Sequence, residues 1–122
     1  MTEGRENGYI EPSKKLLLTF SNPVDPSLEA EYNAWYTETH IPQLLRHVSG
    51  IKEARRYRVD GDAPSHRYFV AYVVEGSTSE IMEELAQRRA EGKIERSATL
   101  ETDPAPLMLF VEPIEERAFV VD

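Results

Sequence analysis

The order of elements along the chain, β-α-β-β-α-β, predicts an α+β domain of the ferredoxin-like kind: a four-stranded antiparallel sheet with both helices on one face. Three observations carry this. Four short runs are dense in branched and aromatic residues, two intervening segments repeat their apolar residues at helical spacing, and the second and third runs flank a turn rich in Gly, Asp and Pro. A chain of 122 residues suits one such domain.

Residues 1–13 hold two Gly, a Pro and the acids Glu3, Glu6 and Glu11, and are expected to form a flexible N-terminal leader before a domain over 14–122. The run Lys14-Lys15-Leu16-Leu17-Leu18-Thr19-Phe20, stopped by Asn22-Pro23, predicts a strand apolar on both faces. Asp25-Pro26-Ser27 is a helix start, and Glu29 and Glu31 suit the positive end of its dipole. Leu28, Tyr32, Trp35, Tyr36 and Thr39 form the stripe of that helix. Pro42 lacks an N–H and disfavours helical geometry at Ile41, which predicts a break or kink there, with a further turn from Gln43 to Val48 ending at Gly50.

Residues 51–59 alternate, with Ile51, Glu53, Arg55, Tyr57 and Val59 on one side and Lys52, Ala54, Arg56 and Arg58 on the other. They pair through the turn at 60–64 with a second strand, 66–75. Ser77 and Glu80 make a capping box that opens a helix with Ile81, Met82, Leu85 and Ala86 on one face, running to about Gly92. A polar loop over 93–106 leads to the last strand, Leu107 to Val111. The strands are apolar on both sides, yet helices cover one side only. The exposed side therefore calls for a partner, and a second copy packed sheet to sheet, a homodimer, is the expected one.

Composition removes several classes. The net charge is −8, from 22 acids and 14 bases, which disfavours a nucleic-acid partner. There is no cysteine, so disulfides, thiolate nucleophiles and zinc–sulfur sites are excluded. No apolar run reaches the roughly 18 residues of a membrane span. The expectation is a cytoplasmic protein with no membrane partner. Three scattered histidines without an i, i+4 pair give no metal site, and no phosphate loop, dinucleotide fingerprint or Ser-His-Asp order is present. No cofactor is expected.

The segment Glu31-Tyr32-Asn33-Ala34-Trp35-Tyr36-Thr37-Glu38-Thr39-His40-Ile41-Pro42, followed by Gly50 and by Arg56-Tyr57, resembles the EthD-like branch of the dimeric α/β-barrel superfamily. The shared pattern is a Trp, a four-residue gap, His-x-Pro, then Gly and an Arg-aromatic strand. The resemblance implies a dimeric α/β barrel, with a pocket in each subunit between sheet and helices. It implies a small-molecule ligand, and relatives of this kind include polyketide cyclases, cofactor-free monooxygenases and a muconolactone methylisomerase. The motif is more specific for fold than for reaction.

The candidate residues lie on and near that helix. At about 100° per residue, His40 sits on the flank of the core stripe, with Glu29, Asn33 and Tyr36 on the same flank. His40 is the candidate catalytic acid/base for an enolisable or phenolic substrate; its plain structural alternative is to cap the helix end before Pro42. Tyr36 and Asn33 are candidates to hold substrate oxygens. Trp35, Tyr57 and Arg56 are candidates for substrate contact, although Trp35 also suits core packing and Arg56 also suits an ion pair with the surplus acids. Leu17 or Leu18, Phe69 or Val70, and Met108 or Leu109 would shape the pocket, the alternation leaving each pair open. His47 and His66 read as structural or surface groups. The functional expectation is a cofactor-free enzyme that cyclises, isomerises or oxidises a polyketide-like or aromatic-catabolite molecule. Its rival is a non-catalytic dimeric binding or accessory protein of the same fold.

Overall fold

Strand-forming residues at 16–21, 51–58, 68–74 and 107–111 build one antiparallel sheet, in the spatial order 51–58, 68–74, 16–21, 107–111. The computed structural model describes residues 14–62 and 65–121; the leader expected over 1–13 and the Ala63-Pro64 part of the turn lie outside them. The strands are β1 (Leu16–Ser21), β2 (Ile51–Arg58), β3 (Tyr68–Val74) and β4 (Leu107–Val111). Between β1 and β2 run α1 (Glu29–Trp35) and α2 (Ile41–His47), and between β3 and β4 runs α3 (Thr78–Ala90). Each helical connection jumps over one strand, so the two central strands are β3 and β1. This is the ferredoxin-like α+β fold.

Residue period decides the layers. Along β3, Tyr68, Val70, Tyr72 and Val74 are buried beneath the helices, while Phe69, Ala71 and Val73 turn to the other face. Register then sorts the neighbours. Leu18 lies between Ala71 and Leu109, and Phe20 lies between Phe69 and Leu107, all on the open face. Tyr57 stacks on Phe69 at 4.7 Å and Phe69 on Phe20 at 5.0 Å, so one apolar row crosses all four strands. Leu107 is 44 % exposed and Leu109 43 %: this face is apolar and uncovered in a single chain.

One register detail differs from the alternation of the sequence. A bulge between Ile51 and Glu53 makes Lys52 an extra residue, so Ile51 pairs with Val74 and joins the core instead of the Glu53–Arg55–Tyr57 face. The bulge lets a hydrophobic strand start beneath α3 while Glu53 and Arg55 stay on the outer face.

The helical arm differs too. Asp25 caps a short 3-10 turn over Pro26–Leu28 by accepting from the Ser27 N–H at 2.8 Å. The arm then continues without a break past Pro42. Tyr36–His40 form a π turn in which the Ile41 N–H donates to the Tyr36 carbonyl, five residues back. The wider turn takes the strain that Pro42 would place on an α-helix, and Ile41 keeps helical angles of −63° and −46°. The capping box of α3 forms as expected, with Ser77 Oγ accepting from the Glu80 N–H at 3.1 Å. Among the described residues, no helix is long and apolar enough to cross a membrane.

Gly50 sits where β2, β3 and α3 converge. A Cβ there would stand 2.8 Å from the Glu75 carbonyl and 2.8 Å from Ile81 Cγ1. Gly50→Ala should therefore destabilise the fold by about 1–3 kcal/mol, read from the midpoint of urea unfolding. An unchanged midpoint would mean that α3 gives way freely.

Candidate functional site

The helix face of the sheet does not close completely against the helices. A cavity of about 370 Å³ remains, walled by Leu17, Thr19, Tyr72 and Met108 of the sheet, Trp35, Tyr36 and His40 of the helical arm, Leu85 and Arg89 of α3, and the loop from Ile94 to Pro106. Its size lies within the range of small-molecule sites. The loop is fastened at both ends. The Val24 N–H donates to the Thr99 carbonyl at 2.7 Å and the Glu101 N–H to the Asn22 carbonyl at 2.9 Å. At the other end, Gln43 Nε2 donates to Glu95 Oε2 at 2.7 Å and Gln43 Oε1 accepts from the Glu95 N–H at 2.8 Å.

The π turn places His40. In an α-helix a residue five positions on lies about 140° around the axis, so Trp35 and His40 would diverge. A π turn stacks such residues, and the two rings lie 4.4 Å apart at 19°. Tyr36 meets His40 edge-on at 5.2 Å and Trp35 at 4.8 Å. Burial among these rings, with the Arg89 cation nearby, pushes the His40 imidazole down to about 4. His40 is therefore neutral at pH 7.

Three buried polar atoms on the cavity-lining residues have no hydrogen-bond partner among the described residues: Trp35 Nε1, His40 Nδ1 and the Tyr72 hydroxyl. Buried groups of this kind are rarely left unpaired. Burial also raises the Tyr72 hydroxyl well above its ordinary range, so it stays protonated as a donor. An apolar cavity with unpaired donors matches a mostly apolar molecule that carries oxygens.

The other candidates fall in different places. Tyr36 lends its ring to the cavity, but its hydroxyl is held by Ser21 Oγ at 3.0 Å, and the same Ser21 Oγ meets the Tyr32 hydroxyl at 2.5 Å. Asn33 lies outside the cavity, where Oδ1 accepts from Arg56 Nη2 at 2.8 Å. Arg56 also donates to Thr37 Oγ1 at 3.3 Å and lies 4.9 Å from the centre of the Tyr36 ring; it makes no ion pair among the described residues. Tyr57 is on the open face of the sheet. The shared flank expected for Glu29, Asn33, Tyr36 and His40 does not persist, because the π turn rotates His40 away from Asn33. Glu29 instead pairs with Arg67 at 3.1 Å and accepts from the Tyr68 hydroxyl. His66 lies against Phe20, and the His47 carbonyl accepts from Arg88 Nε at 2.9 Å.

The open choices for pocket shape resolve as Leu17 and Met108, while Leu18, Phe69 and Leu109 face the other side. Tyr72, Arg89 and Arg96 line the cavity without having been singled out in the sequence. Arg89 did carry a signal: it follows Ile81 and Leu85 at four-residue steps, a cation in line with a buried stripe. Tyr72 carried none until β3 was assigned a face.

A ferredoxin-like sheet with a helix-side cavity defines the class: a small α+β scaffold whose helix layer leaves a hollow over the sheet. Its fold is that of EthD-like proteins. An ethyl tert-butyl ether D (EthD) family protein from Bacillus halodurans C-125 superposes with a TM-score of 0.55 at 15 % identity, over 82 % of this chain and 97 % of its own. An EthD-like protein from Ralstonia eutropha JMP134 superposes with a TM-score of 0.56 at 17 % identity, over 89 % of this chain and 98 % of its own. No protein-family model and no curated protein matches the sequence.

Proposed function

We propose that the chain is a cofactor-free enzyme that binds a polyketide-like or aromatic-catabolite molecule in the helix-side cavity and uses His40 to move a proton during its cyclisation, isomerisation or oxidation. The observation that carries this reading is a neutral, largely buried imidazole on the wall of a cavity of about 370 Å³. A base with a pKa of about 4 is weak, so the proton it takes must already be acidic. A carbon between two carbonyls, or a phenol conjugated to one, meets that condition. Trp35 Nε1 and the Tyr72 hydroxyl supply donors for the oxygens of such a molecule. Tyr36 and Asn33, with their polar groups engaged by Ser21 and Arg56, serve to hold the arm against the sheet.

The deciding experiment is turnover of 1,3-dicarbonyl and hydroxyaromatic compounds by the wild type and by His40→Gln. Loss of turnover with retained binding supports the enzyme. Binding that raises the melting temperature without turnover, in both proteins, supports the accessory reading instead.

The same proposal includes a homodimer through the open sheet face, because the row from Tyr57 through Phe69 and Phe20 to Leu107 would otherwise stay in water. Light scattering should give twice the chain mass of 14.0 kDa, and Leu109→Lys, which sets a charge in that face, should give the single mass. A wild-type monomer would overturn this part.

A further inference from the structure

The mouth of the cavity carries a charge pattern that the apolar walls do not explain. Arg89 enters from the last turn of α3 and Arg96 from the covering loop, and both line the cavity. Partial burial, and then the nearby Arg96 cation, both work against the charge on Arg89. Neither arginine makes an ion pair or side-chain hydrogen bond among the described residues. By contrast, the adjacent Arg88 pairs with Glu84 at 3.2 Å and Glu91 at 3.1 Å, and Arg67 pairs with Glu29 at 3.1 Å. Among the described residues the one carboxylate on the cavity lining, Glu95, is engaged by Gln43 at 2.7 Å. A chain of net charge −8 thus collects two guanidinium groups at one apolar opening and, among the described residues, pairs neither with an acid.

Two like charges held together beside low-dielectric walls repel, and an anion placed between them relieves that repulsion. A guanidinium also offers paired donors that match the two oxygens of a carboxylate. We propose that Arg89 and Arg96 form a carboxylate anchor at the cavity mouth, so that the ligand is an apolar or aromatic carboxylic acid with its ring or chain against Trp35 and Met108 and its acid group outward. This rests on the reading of the cavity as a small-molecule site and names the class of molecule it takes. Arg89 and Arg96 are binding residues in this arrangement; the groups facing them are His40, Tyr36, Tyr72 and Glu95.

The chain has one tryptophan, and it lies in the cavity wall, so its fluorescence reports occupancy directly. The probes are 1-naphthoate and its uncharged counterpart 1-naphthamide, titrated against the full chain at pH 7. The expected result is quenching by naphthoate at concentrations about 10- to 100-fold below those needed for naphthamide, the worth of a charge-assisted hydrogen-bonded pair, with the gap shrinking as salt rises. Arg89→Gln should close most of the gap by weakening naphthoate alone, and Arg89→Lys should keep part of it. Equal binding of the two probes, or a variant that weakens both alike, overturns the carboxylate anchor while leaving the cavity reading intact. Failure of both probes to bind the wild type overturns the anchor and the cavity reading together. The acid-to-amide ratio and its salt dependence are read on the wild type, so the test stands even if Arg89→Gln fails to fold.

Discussion

Exchanging His40 for glutamine should lower turnover by about 10²- to 10⁴-fold, the usual contribution of a positioned acid/base, while ligand binding changes little. Glutamine keeps a polar side chain of similar reach but cannot take and return a proton. The wild-type pH profile gives an independent check. A proton acceptor works only in its unprotonated form, and the imidazole is held at about 4 against an ordinary value near 6.5. The kcat/KM of the free enzyme should therefore stay level from pH 8 to about 5 and fall as pH drops through about 4. An exposed histidine would instead lose activity through 6.5. Proton NMR of the His40 ring measures the same titration with no substrate present. A midpoint near 6.5 would contradict burial against Trp35 as the dominant influence, and undiminished turnover by His40→Gln would remove the residue from the mechanism. The substitution also breaks the stack on Trp35, so a stability loss of about 0.5–1.5 kcal/mol should accompany it.

Ser21→Ala should cost about 2–4 kcal/mol of folding stability, more than a small polar substitution usually does. Ser21 is buried, and its single oxygen meets the hydroxyls of Tyr32 at 2.5 Å and Tyr36 at 3.0 Å, both side chains fully enclosed. Removing it strands two hydroxyls away from water, each at about 1–3 kcal/mol. Tyr32→Phe should cost only about 1 kcal/mol, because Ser21 then keeps Tyr36 as its partner. Replacing all three groups together, Ser21→Ala with Tyr32→Phe and Tyr36→Phe, should recover much of the single-variant loss, since no orphaned hydroxyl remains. Urea unfolding at constant m-value measures each step. A Ser21→Ala variant within about 0.5 kcal/mol of wild type would show that the tyrosines find other partners. The network bears on the site as well, because Tyr36 presses edge-on against His40.

Some features are legible in the amino-acid sequence. The strands announced themselves through short runs of branched and aromatic residues, and β4 falls on Leu107–Val111 as expected. The capping box at Ser77 and Glu80 located the start of α3 because its chemistry is local, two side chains satisfying two neighbouring N–H groups. The element order then left the ferredoxin-like topology as the short, unknotted solution. The Trp-x4-His-x-Pro segment pointed to the residues whose rings pack together in the structure.

Other features depended on contacts between distant parts of the chain. Apolar residues on both faces of a strand cannot say which face the helices cover, so Leu17 and Leu18 were equivalent until β3 and α3 were in place. The bulge at Lys52 moved Ile51 into the core, a change that strict alternation cannot anticipate. Arg56 suited an ion pair by composition, yet Asn33 and the tyrosine rings are its partners, because those are the groups β2 brings within reach.

By itself, the sequence determined the order and type of the elements and placed a histidine two residues before a proline in a helical arm, because capping, period and proline chemistry act over a few residues. Only the tertiary structure decided what that histidine meets. Pro42 enters a helix that packing keeps continuous, the chain widens into a π turn to accept it, and the five-residue step from Trp35 to His40 becomes a stack at the cavity wall.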